Sequence, residues 1–179
     1  MTHPSLLERY QEGRTRRFLR RSETTAHLLP GWRTRRRRRL LVRILAGAFV
    51  SMAVVAVLTA CGLEWAPLLW LPVCVAFFPA WIMLQIAGGR QADAPSGTLD
   101  EWEIEQRNAA RSIGLTVTQS LGMIPALWLV FAGALTGLDA MQTAYAGGLM
   151  VLTALLVGGC TPAMILGWNR PDPEPEDQR

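Results

Sequence analysis

Residues 44–63 read ILAGAFVSMAVVAVLTACGL, twenty positions without one Asp, Glu, Lys or Arg. A helix of roughly 20 apolar residues crosses the hydrocarbon core of a bilayer. Three more charge-free windows follow, at 65–89, 112–138 and 140–169, with 25, 27 and 30 residues. The four windows hold 102 residues, so all 32 charged side chains are confined to the other 77. Whole-chain averages conceal this segregation, since 50% hydrophobic and 18% charged residues would also suit a soluble domain. The windows predict an all-α integral membrane protein with four transmembrane helices. They argue against a secreted disulfide scaffold, a soluble enzyme and a large water-soluble domain.

Orientation follows from where the charges are. All eighteen basic residues are Arg, with no Lys, which reads as the codon bias of a GC-rich genome rather than selection for guanidinium chemistry. Thirteen of them precede Ile44 and face only Glu8, Glu12 and Glu23, so this part carries +10 and the rest of the chain −6. Cytoplasmic flanks of membrane spans are enriched in Arg and Lys. The connections around Glu64 and Asp139 have no Arg, whereas the middle connection carries Arg90, Arg107 and Arg111 and the C-terminal tail Arg170 and Arg179. Four spans place all eighteen on one side. The prediction is two antiparallel hairpins with both termini cytoplasmic, multi-pass in a bacterial inner (cytoplasmic) membrane.

The predicted order is an Arg-rich tail over 1–39, spans over 40–63 and 66–89, a cytoplasmic connector over 90–112, spans over 113–137 and 141–168, and an acidic, Pro-rich tail over 169–179. Trp32, Trp65, Trp70 and Trp168 fall near the expected interfaces, where indole rings concentrate. A partial likeness between Gly62-Leu63-Glu64 and Gly137-Leu138-Asp139 suggests a hairpin duplication, but the spacing to the following proline motif differs by eight residues.

The tail combines Ser5-Leu6-Leu7-Glu8, a capping-box pattern, with apolar Leu6, Leu7, Tyr10, Phe18 and Leu19 among arginines, as in a basic surface helix. Arg35, Arg36, Arg37, Arg38, Arg39 and Arg43 abut the first span. They are expected to contact the anionic inner leaflet, at about 1 kcal/mol per residue. Nucleic acid is not expected as a partner, because the run sits against a span and the tail has no room for a nucleic-acid-binding fold.

In the connector, Thr98-Leu99-Asp100-Glu101 fits a capping box, and Glu103 precedes Arg107 at the favourable i,i+4 spacing. Leu99, Trp102, Gln106, Ala109 or Ala110, and Ile113 share one face. One helix is therefore expected from Leu99 into the third span. The segment Leu99-Asp100-Glu101-Trp102-Glu103, with Arg107, Ala110 and Arg111, resembles an LDERE…R…A stretch ahead of a span in small uncharacterised bacterial multi-span membrane proteins. It has Trp102 at the usual basic position. The resemblance covers about fifteen residues and implies a small multi-span protein without implying an activity.

Leu58-Thr59-Ala60-Cys61 fits a lipobox, which makes Cys61 a candidate for lipidation, although the basic segment before the run exceeds forty residues and another span follows at once. Apart from Arg43, which lies at the start of the first span and can snorkel its head back to the interface, no Asp, Glu, His or Arg lies inside a span, where proton- or ion-coupled transport usually places an ionisable residue. The intramembrane polar set is Ser51, Thr59, Gln85, Thr116, Thr118, Gln119, Ser120, Gln142 and Thr143. Pro72, Pro79, Pro125 and Pro162 are candidate kinks. The histidines, His3 and His27, and the cysteines, Cys61, Cys74 and Cys160, are too scattered for a local metal site. The expectation is no enzyme, no metal and no cofactor.

Helix packing is signalled by Gly133 and Gly137, by Gly47 with Ser51, by Ala144 with Gly148 and by Ala154 with Gly158, small residues four apart. The resulting functional expectation is a non-catalytic accessory or interaction subunit of a membrane assembly, with a membrane-protein partner or a second copy. The alternative is a small transporter or channel component without proton coupling.

Overall fold

The computed structural model describes residues 12–13, 15–20, 24, 30–89, 91–135 and 139–172. Among these there is no strand. Four long helices follow in order, α1 (Arg35–Ala60), α2 (Trp70–Ala87), α3 (Glu101–Leu135) and α4 (Ala140–Asn169). Each, with α2 counted from the preceding turn as Ala66–Ala87, is long and apolar enough to cross a membrane. A 3-10 turn, Ala66–Leu69, leads into α2, and two more, Gln91–Asp93 and Ser96–Thr98, carry the chain from α2 to α3.

Helix α4 is central, packing on α1, α2 and α3, whereas α3 packs on α4 and on the Gln91–Asp93 turn. The main core lies among α1, α2 and α4. Leu41, Leu45, Phe49 and Met52 of α1 recur at helical spacing and meet Phe77, Ala80 and Leu84 of α2 and Cys160 of α4. The rings of Phe49 and Phe77 are 5.7 Å apart and tilted by 52°, an arrangement aromatic quadrupoles favour.

Two glycines end helices in the left-handed region, Gly62 after α1 at φ +93° and Gly89 after α2 at φ +63°, where a Cβ is strained. Pro79, Pro125 and Pro162 lie inside α2, α3 and α4, which continue through them. Pro162 fills the notch at Gly114, where a Cβ would come within 2.8 Å of its ring. It is a packing residue rather than a break in the helix.

Two helix starts that differ from the sequence reading have identifiable physical causes. Helix α1 starts at Arg35 rather than near residue 40, so the arginine run forms its first turns. Cations at a helix N-terminus oppose the macrodipole. Here the Asp172 carboxylate, from just beyond α4, accepts the backbone N–H of Arg35, while Thr34 at the N-cap makes no side-chain cap bond. Helix α3 starts at Glu101 rather than Leu99. Asp100 Oδ1 accepts the Glu103 N–H at 2.7 Å, and the Thr98 hydroxyl donates instead to Pro95 O at 2.8 Å. The proposed capping box is thus a single Asp cap two residues later. The predicted surface helix of the tail, with its Ser5 cap, falls mainly outside the described residues. Within them, Arg16 and Glu12 form an exposed i,i+4 pair at 4.0 Å.

Candidate membrane-interface site

The ends of the helices divide the arginines by task. Arg38, in the first turn of α1, is 2% exposed. Its guanidinium donates to Gly167 O at 3.3 Å and Pro171 O at 2.8 Å, and also to Arg33 O and Arg170 O. These acceptors include carbonyls at the C-terminal end of α4 that no intrahelical N–H reaches. A planar five-donor fork suits such a cluster. With Asp172 on the start of α1, each helix end caps the other, cation on C-terminus and anion on N-terminus.

Arg170 repeats the device on α2, donating to Gly88 O at 2.7 Å. Arg107, 6% exposed, donates to Ala94 O and to Asn108 Oδ1. Arg111 holds Ala92 O, at 3.0 Å through Nε. Connector carbonyls are therefore satisfied by α3 arginines. The expected Glu103–Arg107 pair does not form, because Arg107 turns inward to the connector.

The anionic-lipid set is corrected accordingly. Arg38 is consumed by tertiary hydrogen bonds and faces no lipid. Arg35 and Arg36 are exposed. Arg37 lies 5.4 Å from the Trp32 ring and donates to Gly31 O at 2.7 Å. Arg39 and Arg43 lie 4.8 Å and 5.8 Å from the Trp168 ring. Cation–π contact fixes these heads beside an indole, at the level where an interface is expected. The sequence signals for this site were the Arg run and Trp168. The burial of one Arg among five had none.

At the other end, Gln142 Nε2 donates to Thr59 O at 3.0 Å and Asp139 Oδ2 caps the Gln142 N–H at 3.0 Å. Leu58, Thr59 and Ala60, three residues of the lipobox pattern, form the last turn of α1, with Thr59 buried and its hydroxyl on Val55 O at 2.8 Å. Cys61 follows, exposed.

Within the helices, Ser51, Thr116, Thr118, Thr153 and Thr161 each donate to the carbonyl four residues earlier, which leaves them no free donor. Of the expected packing pairs, Ala154 with Gly158 lies on an occupied face, where Gly158 meets Thr118. Gly47 meets nothing within 4 Å and Ser51 is exposed, so that face meets no helix among the described residues; Gly148 is likewise open. Gly137 and the side-chain surroundings of Gly133 lie outside the described residues. The close approaches are Gly114 on Pro162, Gly147 on Leu129, Gly158 on Thr118 and Gly167 on Leu84.

Among the described residues no group of three His, Cys, Asp or Glu is placed to hold a metal. A cavity of about 10 Å³ between α2, the Gln91–Asp93 turn and α4, lined by Gln85, Gln91 and Leu166 among others, has room for about one water. No family model, curated protein or solved structure matches this chain.

Proposed function

We propose that this chain is a non-catalytic accessory or interaction subunit of a membrane assembly in a bacterial cytoplasmic membrane. In this reading the four helices cross as two antiparallel hairpins, with the arginine-bearing end and both termini in the cytoplasm. The observation that carries it is the N-terminal part of α3. This helix begins at Glu101, ten residues before Arg111, behind an Asp100 cap. Arg107 and Arg111 pin it to the connector, and it presents Trp102 with 61% of its surface exposed. A rigidly held helix with an outward indole is a docking element of the kind protein partners use as an anchor. The expected likeness to small bacterial multi-span proteins agrees with this reading and adds no activity.

Affinity purification of the tagged full-length protein from native membranes tests it. A stoichiometric partner is expected, and Trp102→Ala is expected to lower its recovery at least tenfold without loss of the protein from the membrane. Repeated isolation of the chain alone, or solute movement by the purified protein in liposomes, overturns the accessory reading.

A further inference from the structure

We infer that α3 pairs inside the bilayer with α3 of a second copy of this chain, through a polar ridge centred on Gln119. The inference rests on the membrane-spanning reading and gives the interaction subunit one specific partner.

The two sides of α3 are unlike. Arg107, Ala110, Gly114, Pro125 and Ala132 are buried and, with Thr118, trace the side packed on the connector and α4. Ser112, Thr116, Gln119, Met123, Leu127 and Val130 recur at three- and four-residue steps on the opposite side, and all are exposed. The polar residues of this ridge, Ser112, Thr116 and Gln119, therefore lie on a side turned away from the described protein, continued by apolar Met123, Leu127 and Val130. Only 11% of the most apolar stretch of α3 is buried, against 39% for α4.

Gln119 is the member of this ridge that lipid cannot accommodate. It lies eight residues beyond Arg111, whose head is fixed on Ala92 O, and so about 12 Å further along the helix. That is inside a hydrocarbon core with a half-thickness of about 15 Å. Thr116 satisfies its hydroxyl on Ser112 O at 3.1 Å. The Gln119 carboxamide has no hydrogen-bond partner among the described residues, and an unpaired amide in hydrocarbon is costly.

A second copy answers this need by symmetry. Copies inserted in the same orientation hold each residue at the same depth, so a two-fold axis along the membrane normal sets Gln119 opposite Gln119. A primary amide both donates and accepts, which makes the pair self-complementary. Ser112 and Thr116 are small enough for close approach. Glu105 shares this side of α3 but lies fourteen residues from Gln119, about 21 Å along the helix. Helices crossing at Gln119 by roughly 20–40° have there separated beyond a Debye length of about 8 Å.

The test uses the full-length protein in liposomes, with donor- and acceptor-labelled copies and energy transfer read against protein-to-lipid ratio. Wild type is expected to associate, Gln119→Leu to weaken association about tenfold, Gln119→Asn to restore part of it, and the lipid-facing control Val75→Leu to change nothing. In a chain with Cys61, Cys74 and Cys160 replaced by Ala, Thr116→Cys, Gln119→Cys and Met123→Cys are expected to form intermolecular disulfides, and Val117→Cys and Leu121→Cys are not. A wild-type monomer at every ratio, unaltered association of Gln119→Leu, or cross-links following another face overturns the pairing. Release of the chain by alkaline wash overturns the membrane-spanning reading itself, whereas a retained monomer overturns only the pairing.

Discussion

Helix α4 is joined to α3 and to α1 by two different kinds of seam. Along α3 the contacts are steric and run the length of the pair: Gly114 against Pro162, Thr118 against Gly158 and Leu129 against Gly147. Each step forward on α3 matches an equal step back on α4, as two antiparallel helices require. Along α1 the middle of the seam is an apolar core, and the ends are tied by hydrogen bonds, Arg38 to Gly167 O and Gln142 to Thr59 O. The contrast has a physical basis. Lipid tails are as apolar as Leu, so the hydrophobic effect does not favour helix–helix over helix–lipid contact inside a bilayer. Close packing and hydrogen bonds are what remain, and the interface, where water and charge are present, is where arginine ties cost least.

The steric seam should be the more fragile. A Cβ at Gly158 would stand 2.8 Å from the Thr118 Cα, so backbone must move. Gly158→Val is expected to cost about 3 kcal/mol by overpacking, seen as a lowered midpoint of thermal unfolding in detergent. Thr118→Ala is expected to recover part of this loss. Gly148, ten residues away, meets nothing within 4 Å, and Gly148→Ala should be neutral or stabilising by up to about 1 kcal/mol. Equal losses at the two glycines would break the distinction between packed and open faces of α4.

The hydrogen-bonded seam is probed next. Arg38→Gln removes donors from a group of carbonyls at the helix end and is expected to cost about 2 kcal/mol. Arg36→Gln, on an exposed side chain, should stay within about 0.5 kcal/mol. Comparable midpoints for the two variants in detergent unfolding would mean that the arginine run acts only as a block of charge. A smaller loss than at Arg38 is expected at Asp172. Asp172→Ala removes the cap on Arg35 at about 1 kcal/mol, and should appear as faster amide exchange at Arg35 with no change deeper in α1.

The four long apolar helices were legible because charge is costly in hydrocarbon, so charge-free windows mark helices able to cross it. The expected span at 141–168 and the observed Ala140–Asn169 helix nearly coincide. The start of α1 was not legible. It is capped by Asp172, 137 residues away in the sequence, whereas cations in a first turn oppose the helix macrodipole. The packing glycines were half legible. The small-residue pair Ala154 and Gly158 lies on a buried face, whereas Gly47 and Ser51, with the same spacing, face outward. Spacing reports that a face permits close approach, and the surrounding helices decide whether anything approaches it.

By itself the sequence determined the number of helices long and apolar enough to cross a membrane and the segregation of charge between them, because both are read directly from where charged residues are absent. Only the tertiary structure decided which arginine is buried, which glycines are occupied and which side of α3 is left open. Those outcomes depend on partners remote in the chain. Arg38 is interior because the C-terminal end of α4 lies beside it, and Gln119 is exposed because α4 occupies the opposite side of its helix.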